Sequence, residues 1–363
     1  MHCRIVIVGA TGTLGDKLIK YCHKKLISIE SITYFNNHKK ANLYKKKYNI
    51  KKCFCLDNTD DKNNFLKYLS SNSIDLIYFL DYGSGSLNYA YQFLRRNSNS
   101  IIAIANKEML LAGGRILIKY IQKTSNKLIP LDSEHFSLIN SLTDTNFISK
   151  IYITASGGPF YFKKNVDINF VNIKNVIKHP KWKMGINNSI DSSNFINKIL
   201  EMHELSIIYN IDLKKISFFV SRNAFVHSVV KYKDGTISLN CFTNDMLISL
   251  IKPLRNFYKL EDYKIDNKYI LDYSNFKILN FNDKRFKITK YISSLKKLSH
   301  DKIIRFMILN NIAHQRYIDS KIEYNDIVPF IVNNIGKKKK TLRNFNSILK
   351  YITLIKHNYE NTL

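Results

Sequence analysis

Along the first 150 residues, short apolar runs alternate with longer stretches of helical period. Ile5–Val8 reads as a buried strand, Leu14–Leu26 as a helix and Ser31–Phe35 as a second strand. Asn42–Tyr48 has helical spacing, and Ile74–Leu80 and Ile101–Ala105 read as further strands. Alternation of this kind predicts a doubly wound, parallel sheet. Around Ile151 the pattern changes. Extended segments at Lys150–Thr154, Ile216–Val220, Phe225–Lys231 and Thr236–Asn240 flank one long helix expected from about Ser192 to Tyr209. Asp234-Gly235, between two β-rich runs, signals a hairpin, so this middle region reads as α+β. From about Phe281 the chain is polar and helix-periodic, and it ends in a Lys337–Lys340 run and a tail. The expected class is α/β, divided into 1–149, a central α+β region 150–255, a connecting segment 256–285 and a small helical domain 286–363.

The length of 363 residues suggests two or three domains, and 45% hydrophobic residues are ample for their cores, which excludes general disorder. Charge complicates this picture. Lys and Arg number 57 against 28 Asp and Glu, a net charge of +29, which first points to nucleic acid or an anionic surface. A nucleic-acid footprint concentrates its basic residues in a stripe or tail, whereas these lysines run the whole length of the chain among abundant Asn, Ile, Tyr and Phe. Drift of composition, as in an AT-rich genome, accounts for most of the excess, and no nucleic acid is expected.

Five cysteines give an odd count without a CxxC pair, and no zinc-like cluster follows Cys53 and Cys55. No run approaches the roughly 18 apolar residues that span a bilayer. The strand pattern beginning at Arg4 leaves no room for a signal or transit peptide. The expectation is a reduced, cytoplasmic protein without a membrane partner.

Gly9-Ala10-Thr11-Gly12-Thr13-Leu14-Gly15 directly follows a strand and opens a helix. In that context Gly9 permits a tight turn, Gly12 lets backbone approach a pyrophosphate, and Gly15 lets helix and strand pack closely. Unpaired N–H groups at the helix start would meet the anion. An NAD site would carry an acid about 20 residues further on. Here the second strand runs into Phe35-Asn36-Asn37-His38-Lys39-Lys40, with no acid and two lysines, so NADP is favoured.

Leu131-Asp132-Ser133-Glu134-His135 follows Pro130. Read as extended chain, its period of two puts Asp132 and Glu134 on one face, a pairing suited to Mg²⁺ or Mn²⁺. By itself such a pair is common on solvated loops. A second stretch, Asp191 to Glu201, offers Ser192 and Ser193 as N-cap residues and places Asn197, Lys198 and Glu201 on one helical face. That start could hold a phosphate, and Glu201 could add a third metal ligand.

Five motifs now stand in order: Asn106-Lys107-Glu108, Leu131 to Ser137, Thr154-Ala155-Ser156-Gly157-Gly158-Pro159-Phe160, His179-Pro180-Lys181-Trp182-Lys183-Met184-Gly185, and Asp191 to Glu201. Together they resemble the 1-deoxy-D-xylulose 5-phosphate reductoisomerase family, densely from about residue 4 to 245 and thinly beyond 250. The resemblance implies a Rossmann-like NADP-binding domain, a central catalytic domain and a helical C-terminal domain. It implies conversion of 1-deoxy-D-xylulose 5-phosphate to 2-C-methyl-D-erythritol 4-phosphate, drawn in the family as retro-aldol cleavage, recombination and hydride delivery from NADPH.

By the same resemblance Asp132, Glu134 and Glu201 bind the metal, and Lys107 and Ser133 touch substrate beside it. Ser156, Ser192, Asn197 and Lys198 match phosphate-binding positions. Thr11, Gly12, Thr13, Leu14, Asn106, Glu108 and Gly185 match cofactor contacts, with Asn37 and His38 at the 2′-phosphate. Residues 179–185 match a closing flap, with His179 on the substrate under Trp182 and Met184. His227 matches a position near the site, and equally fits a core histidine. A homodimer is expected. The 2′-phosphate loop and the stretch Asp81-Tyr82-Gly83-Ser84-Gly85 depart from the family pattern. The alternative from another class is a basic nucleic-acid-binding protein on a retained dehydrogenase scaffold, which has no physical need for three intact acids. Another NADP-dependent dehydrogenase would explain the glycine loop but not Asp132 to Glu201.

Overall fold

The computed structural model describes residues 3–142, 144–177, 185–222, 224–262 and 277–360. The chain divides into two compact units, Met1–Phe136 with Asp245–Lys264, and Ser137–Asn244 with Ile265–Leu363.

The first unit runs β1 (Ile5–Val8), α1 (Thr13–Lys24), β2 (Ser31–Tyr34), α2 (His38–Lys47), β3 (Lys52–Cys55) and α3 (Thr59–Ser71). It continues with β4 (Leu76–Phe79), α4 (Ser86–Arg96), β5 (Ile101–Ile104), α5 (Lys107–Lys123), β6 (Lys127–Pro130) and α6 (Ser133–Ser137). All six strands are parallel, in the order β3-β2-β1-β4-β5-β6. Every residue of β1 and β4 is fully buried, as expected of central strands covered by helices on both faces. The apolar pattern therefore located the central strands, and it missed β3 and β6, whose Lys52 and Lys127 are exposed. The returning segment 245–264 belongs here because the buried Tyr78 hydroxyl donates to the Leu250 carbonyl at 2.9 Å, while Lys17 and Asp245 pair at 2.9 Å.

The second unit contains β7 (Ile148–Ala155), α7 (Ile173–Val176), α8 (Ile186–Ser193), α9 (Ile196–Tyr209), β8 (Ile216–Val220), β9 (Val226–Tyr232), β10 (Ile237–Cys241) and β11 (Leu279–Asn280). Its mixed sheet has the order β10-β9-β7-β8-β11, with β7 and β8 parallel and the other pairs antiparallel. The β9–β10 hairpin turns at Asp234-Gly235, where Gly235 has φ +92°, as the sequence predicted.

Two expectations are corrected. The single helix from Ser192 to Tyr209 is two helices, and Ser192 and Ser193 end α8 rather than cap α9. The break is at Phe195, which adopts φ +67° and places its ring 4.2 Å from Phe281 and 4.9 Å from Phe286. A left-handed Phe is costly, and burial in an aromatic cluster offsets the strain. The expected tail is also helical: Phe345–Glu360 forms a helix of 16 residues after His300–Ile318 and Ile327–Asn334.

Gly15 and Gly12 should separate cleanly on substitution. A Cβ on Gly15 would stand 2.3 Å from the Ala10 carbonyl oxygen, whereas one on Gly12 meets only the Gly9 oxygen at 3.4 Å. Gly15→Ala should therefore cost about 2 kcal/mol in urea denaturation, and Gly12→Ala less than about 0.5 kcal/mol.

Candidate functional site

In the first unit the loops that carry the expected residues all leave the carboxyl ends of parallel strands, where ligands bind in open α/β sheets. After β1, Gly9 takes φ +81°, and a Cβ there would meet the Asp81 nitrogen at 2.5 Å, so only glycine permits this approach. Gly9 and Ala10 donate backbone N–H groups to Thr33, at 3.1 Å to its hydroxyl and 2.9 Å to its carbonyl. Thr11, Gly12 and Thr13 reach the surface, and Gly12 precedes α1 without any side-chain cap. The open first turn of α1 is a suitable anion seat.

Lys40 steadies this loop, a part the sequence suggested only loosely. Its ammonium donates to the Thr11 carbonyl at 3.0 Å and lies 3.4 Å from Asp16, which also accepts from Lys20 and Tyr44. Burial opposes ionisation of Asp16, yet these donors and the nearby lysine charges hold its carboxyl below the ordinary range. After β2, Asn37 caps α2 by accepting the Lys40 N–H at 3.1 Å, and exposed His38 begins that helix with its ring edge-on to Tyr34.

Asn106 and Glu108 account for the unusual 81–85 stretch. Asn106 caps α5 by accepting the Met109 N–H at 2.8 Å. Its amide nitrogen donates to Asp81 and to the Gly83 carbonyl, both at 3.0 Å, while Glu108 accepts the Gly83 N–H at 3.4 Å. Burial pushes the Asp81 carboxyl above its ordinary value, against hydrogen bonds from Ser86 and Asn106 that favour the charged form.

Lys107 opens α5 and donates to Asp132. The extended reading of Leu131 to His135 is corrected: Asp132 leads into α6, its carbonyl accepting the Phe136 N–H at 2.8 Å and its carboxylate accepting the Glu134 N–H at 3.2 Å. The turn from Asp132 into α6, in which its carboxylate takes the Glu134 N–H, rather than a period of two, holds the acids near each other. Ser133 donates to Glu134, and buried His135 lies 3.9 Å from Asp132. The first unit thus brings Lys107, Asp132, Ser133 and Glu134 together.

In the second unit β7 ends at Ala155, and Ser156 follows it. Gly157 and Gly158 have φ of +86° and +57°, and a Cβ on Gly158 would stand 3.0 Å from the Ser192 carbonyl, so glycine lets the Ser156 loop lie against the end of α8. Across the Phe195 break, Asn197 donates to Glu201, and Lys198 pairs with Glu201 at 2.6 Å. Lys198 and Glu201 are both buried, an arrangement whose mutual attraction must offset two desolvations. His227 stacks on Phe242 at 3.9 Å, with its Nε2 3.2 Å from the Phe242 carbonyl. Gly185 precedes α8 at the surface. The expected His179, Trp182 and Met184 lie outside the described residues.

Comparison with known proteins decides the family. A family model, the 1-deoxy-D-xylulose 5-phosphate reductoisomerase C-terminal domain, matches residues 128–209. A reductoisomerase of Malacoplasma penetrans is 30% identical over 257 residues, covering 70% of this chain and 67% of that one. The chain belongs to the 1-deoxy-D-xylulose 5-phosphate reductoisomerase family. The likeness is not confined to the motif-rich part. The reductoisomerase of Clostridium novyi is 29% identical with 98% of this chain and 99% of that one covered, and that of Pelagibacter ubique 28% with 89% and 88%. The fold is that of solved reductoisomerases. One from Zymomonas mobilis in complex with NADPH gives a TM-score of 0.84 at 22% identity over 98% of each chain. Another, in complex with magnesium, gives 0.85 at 20% identity over 100% of this chain and 98% of that one.

The raised Asp81 carboxyl has a consequence for stability. Its folded value lies above the ordinary 3.8, so the unfolded chain ionises first as pH rises. Asp81→Asn should match the wild type in urea titrations near pH 3. It should gain on the wild type as pH rises through the carboxylate range and keep that advantage at pH 7.

Proposed function

We propose that this chain catalyses the rearrangement and reduction of 1-deoxy-D-xylulose 5-phosphate to 2-C-methyl-D-erythritol 4-phosphate, using NADPH and a divalent cation. Membership of the reductoisomerase family, with every expected acid and phosphate-position residue present, carries the reading. Related structures carry NADPH in one case, and NADPH, fosmidomycin and magnesium in another.

Asp132, Glu134 and Glu201 are the proposed metal ligands. An all-oxygen, all-acid set suits a hard cation such as Mg²⁺ or Mn²⁺ and leaves positions for substrate oxygens. When bound, such a cation supplies Lewis acidity that stabilises negative charge on the substrate's oxygens. Lys107 would hold a substrate hydroxyl while its ammonium orients Asp132, and Ser133 would add a hydrogen bond. Ser156, Ser192, Asn197 and Lys198 are assigned to the substrate phosphate, with Lys198 the compensating charge. His179 is assigned to the substrate as part of the 179–185 flap, whose closure would exclude water.

NADPH supplies the hydride. Thr11, Gly12, Thr13 and Leu14 would seat its pyrophosphate on the open N–H groups of α1, which the uncapped helix start supports. Asn37 and His38 would meet the 2′-phosphate, and Asn106, Glu108 and Gly185 complete the cofactor contacts. We assign the protein to the cytoplasm, a reading supported by five cysteines without a disulfide. No helix among the described residues is long and apolar enough to cross a membrane. A homodimer is also proposed, supported by edge strand β10 with Ile237 and Leu239 exposed.

Purified protein should consume NADPH only when both 1-deoxy-D-xylulose 5-phosphate and Mg²⁺ or Mn²⁺ are present. Glu134→Gln should lower turnover about a thousandfold, the scale of losing an electrostatic stabiliser, while its thermal midpoint stays near that of the wild type. Near-normal turnover in that variant would remove Glu134 from the metal set.

A further inference from the structure

Asp191 has no part in the reading above, yet its carboxylate is buried one residue before Ser192. Asn310 donates from its amide nitrogen to both carboxylate oxygens, at 2.8 and 3.1 Å. The His314 Nε2 lies 2.9 Å from Oδ1. Asn310 and His314 are one turn apart on the helix His300–Ile318, so they reach Asp191 from one face, and both are buried. On the other side of Ser192, the Ser193 hydroxyl lies 3.0 Å from the hydroxyl of buried Tyr324, which precedes the helix Ile327–Asn334. Both neighbours of Ser192 are therefore tied to the C-terminal helices, while Ser192 itself is only half-buried.

A carboxylate enclosed in this way contributes little net stability, because desolvation consumes much of what its partners return. Its return is positional. The helix α8 has 8 residues and ends at the Phe195 break, too short to hold its own register. An apolar contact between α8 and His300–Ile318 could slide; two hydrogen bonds and a close ring nitrogen converging on one carboxylate cannot.

We infer that Asp191, Asn310, His314 and Tyr324 are positioning residues that fix the last turn of α8 and so set Ser192 for the substrate phosphate. The inference rests on the proposed role of Ser192. It makes the C-terminal helices part of substrate recognition, because a misplacement near 1 Å far from the chemistry is enough to cost rate or affinity.

The test is steady-state kinetics on the full chain. Asn310→Ala and Tyr324→Phe should each raise KM for 1-deoxy-D-xylulose 5-phosphate about tenfold and weaken competitive inhibition by inorganic phosphate by the same factor. KM for NADPH and kcat should stay within about twofold. His314→Ala should behave likewise, and His314→Gln, whose amide can set an N–H beside the Asp191 carboxylate, should recover most of the loss. Ser192→Ala is measured alongside. If it leaves KM and phosphate inhibition unchanged, the phosphate assignment of Ser192 fails. If Ser192→Ala raises KM while folded Asn310→Ala and Tyr324→Phe do not, the positioning inference alone is overturned. A parallel shift of KM for both substrates and of kcat would also overturn it, as that marks general loosening. Should Asn310→Ala fail to fold, Tyr324→Phe, which removes a single oxygen, decides.

Discussion

A parallel strand cannot be followed by a tight hairpin; it requires a crossover that returns the chain to the opposite end of the sheet before the next strand begins. In the first unit that constraint gathers the exits of β1, β2, β4, β5 and β6 on one side of the sheet. Everything chemically distinctive in the unit hangs from those exits: Gly9 to Leu14, Asn37 and His38, Asp81 to Gly85, Asn106 to Glu108, and Asp132 to Glu134. The central strands are buried on both faces because helices cover both sides of the parallel sheet. The close approach of Asp81 to Gly9 then links two exits through backbone, and Asn106 links a third through its amide. Hydrogen bonds thus join the loops after β4 and β5, and close packing against Gly9 joins them to the loop after β1.

The second unit solves a different problem. It holds the acids Asp191 and Glu201 in buried positions on helices that meet at a strained residue. Each acid has its own answer. Glu201 is engaged by Asn197 and Lys198 from its own helix, within four residues. Asp191 is engaged from a helix 119 residues further along the chain. The left-handed Phe195 between them separates the helices, so that Ser192 lies in the last turn of α8 and Asn197 in the first turn of α9. Its ring explains how the strain persists: an aromatic cluster with Phe281 and Phe286 holds it.

This difference also marks what could be read from the amino-acid order. The strands Ile5–Val8 and Ile216–Val220, the glycine turn and the Asp234-Gly235 hairpin were legible because each signal is local and strong. The break at Phe195 was not, since neither Gly nor Pro announces it and a helical period runs through it. The extended reading of the acid pair failed because Asp132 to Glu134 follows a strand so closely that the extended period looked continuous. The partners of Asp191 and Ser193 were invisible: no spacing rule connects residue 191 to 310 or 314, or residue 193 to 324. The role of Asp81 was equally hidden, since a carboxylate beneath a glycine loop is meaningful only once β4 lies beside β1.

The net charge of +29 then takes on a narrower meaning. The lysines nearest the expected chemistry are each engaged by an acid: Lys40 with Asp16, Lys107 with Asp132, and Lys198 with Glu201. A lysine already paired contributes a directed donor and a local field, and much less a surface charge that would gather a polyanion. For phosphate recognition that is the useful arrangement, because the partner carboxylate holds the ammonium in one place before any ligand arrives. The cost is that a bound anion must compete with that carboxylate. A divalent cation on the acids would relieve the competition, since ligated carboxylates hold their lysines less strongly. In the proposed site a cation on Glu201 and a phosphate on Lys198 would then favour each other's binding, a coupling that the excess of background charge neither supplies nor disturbs.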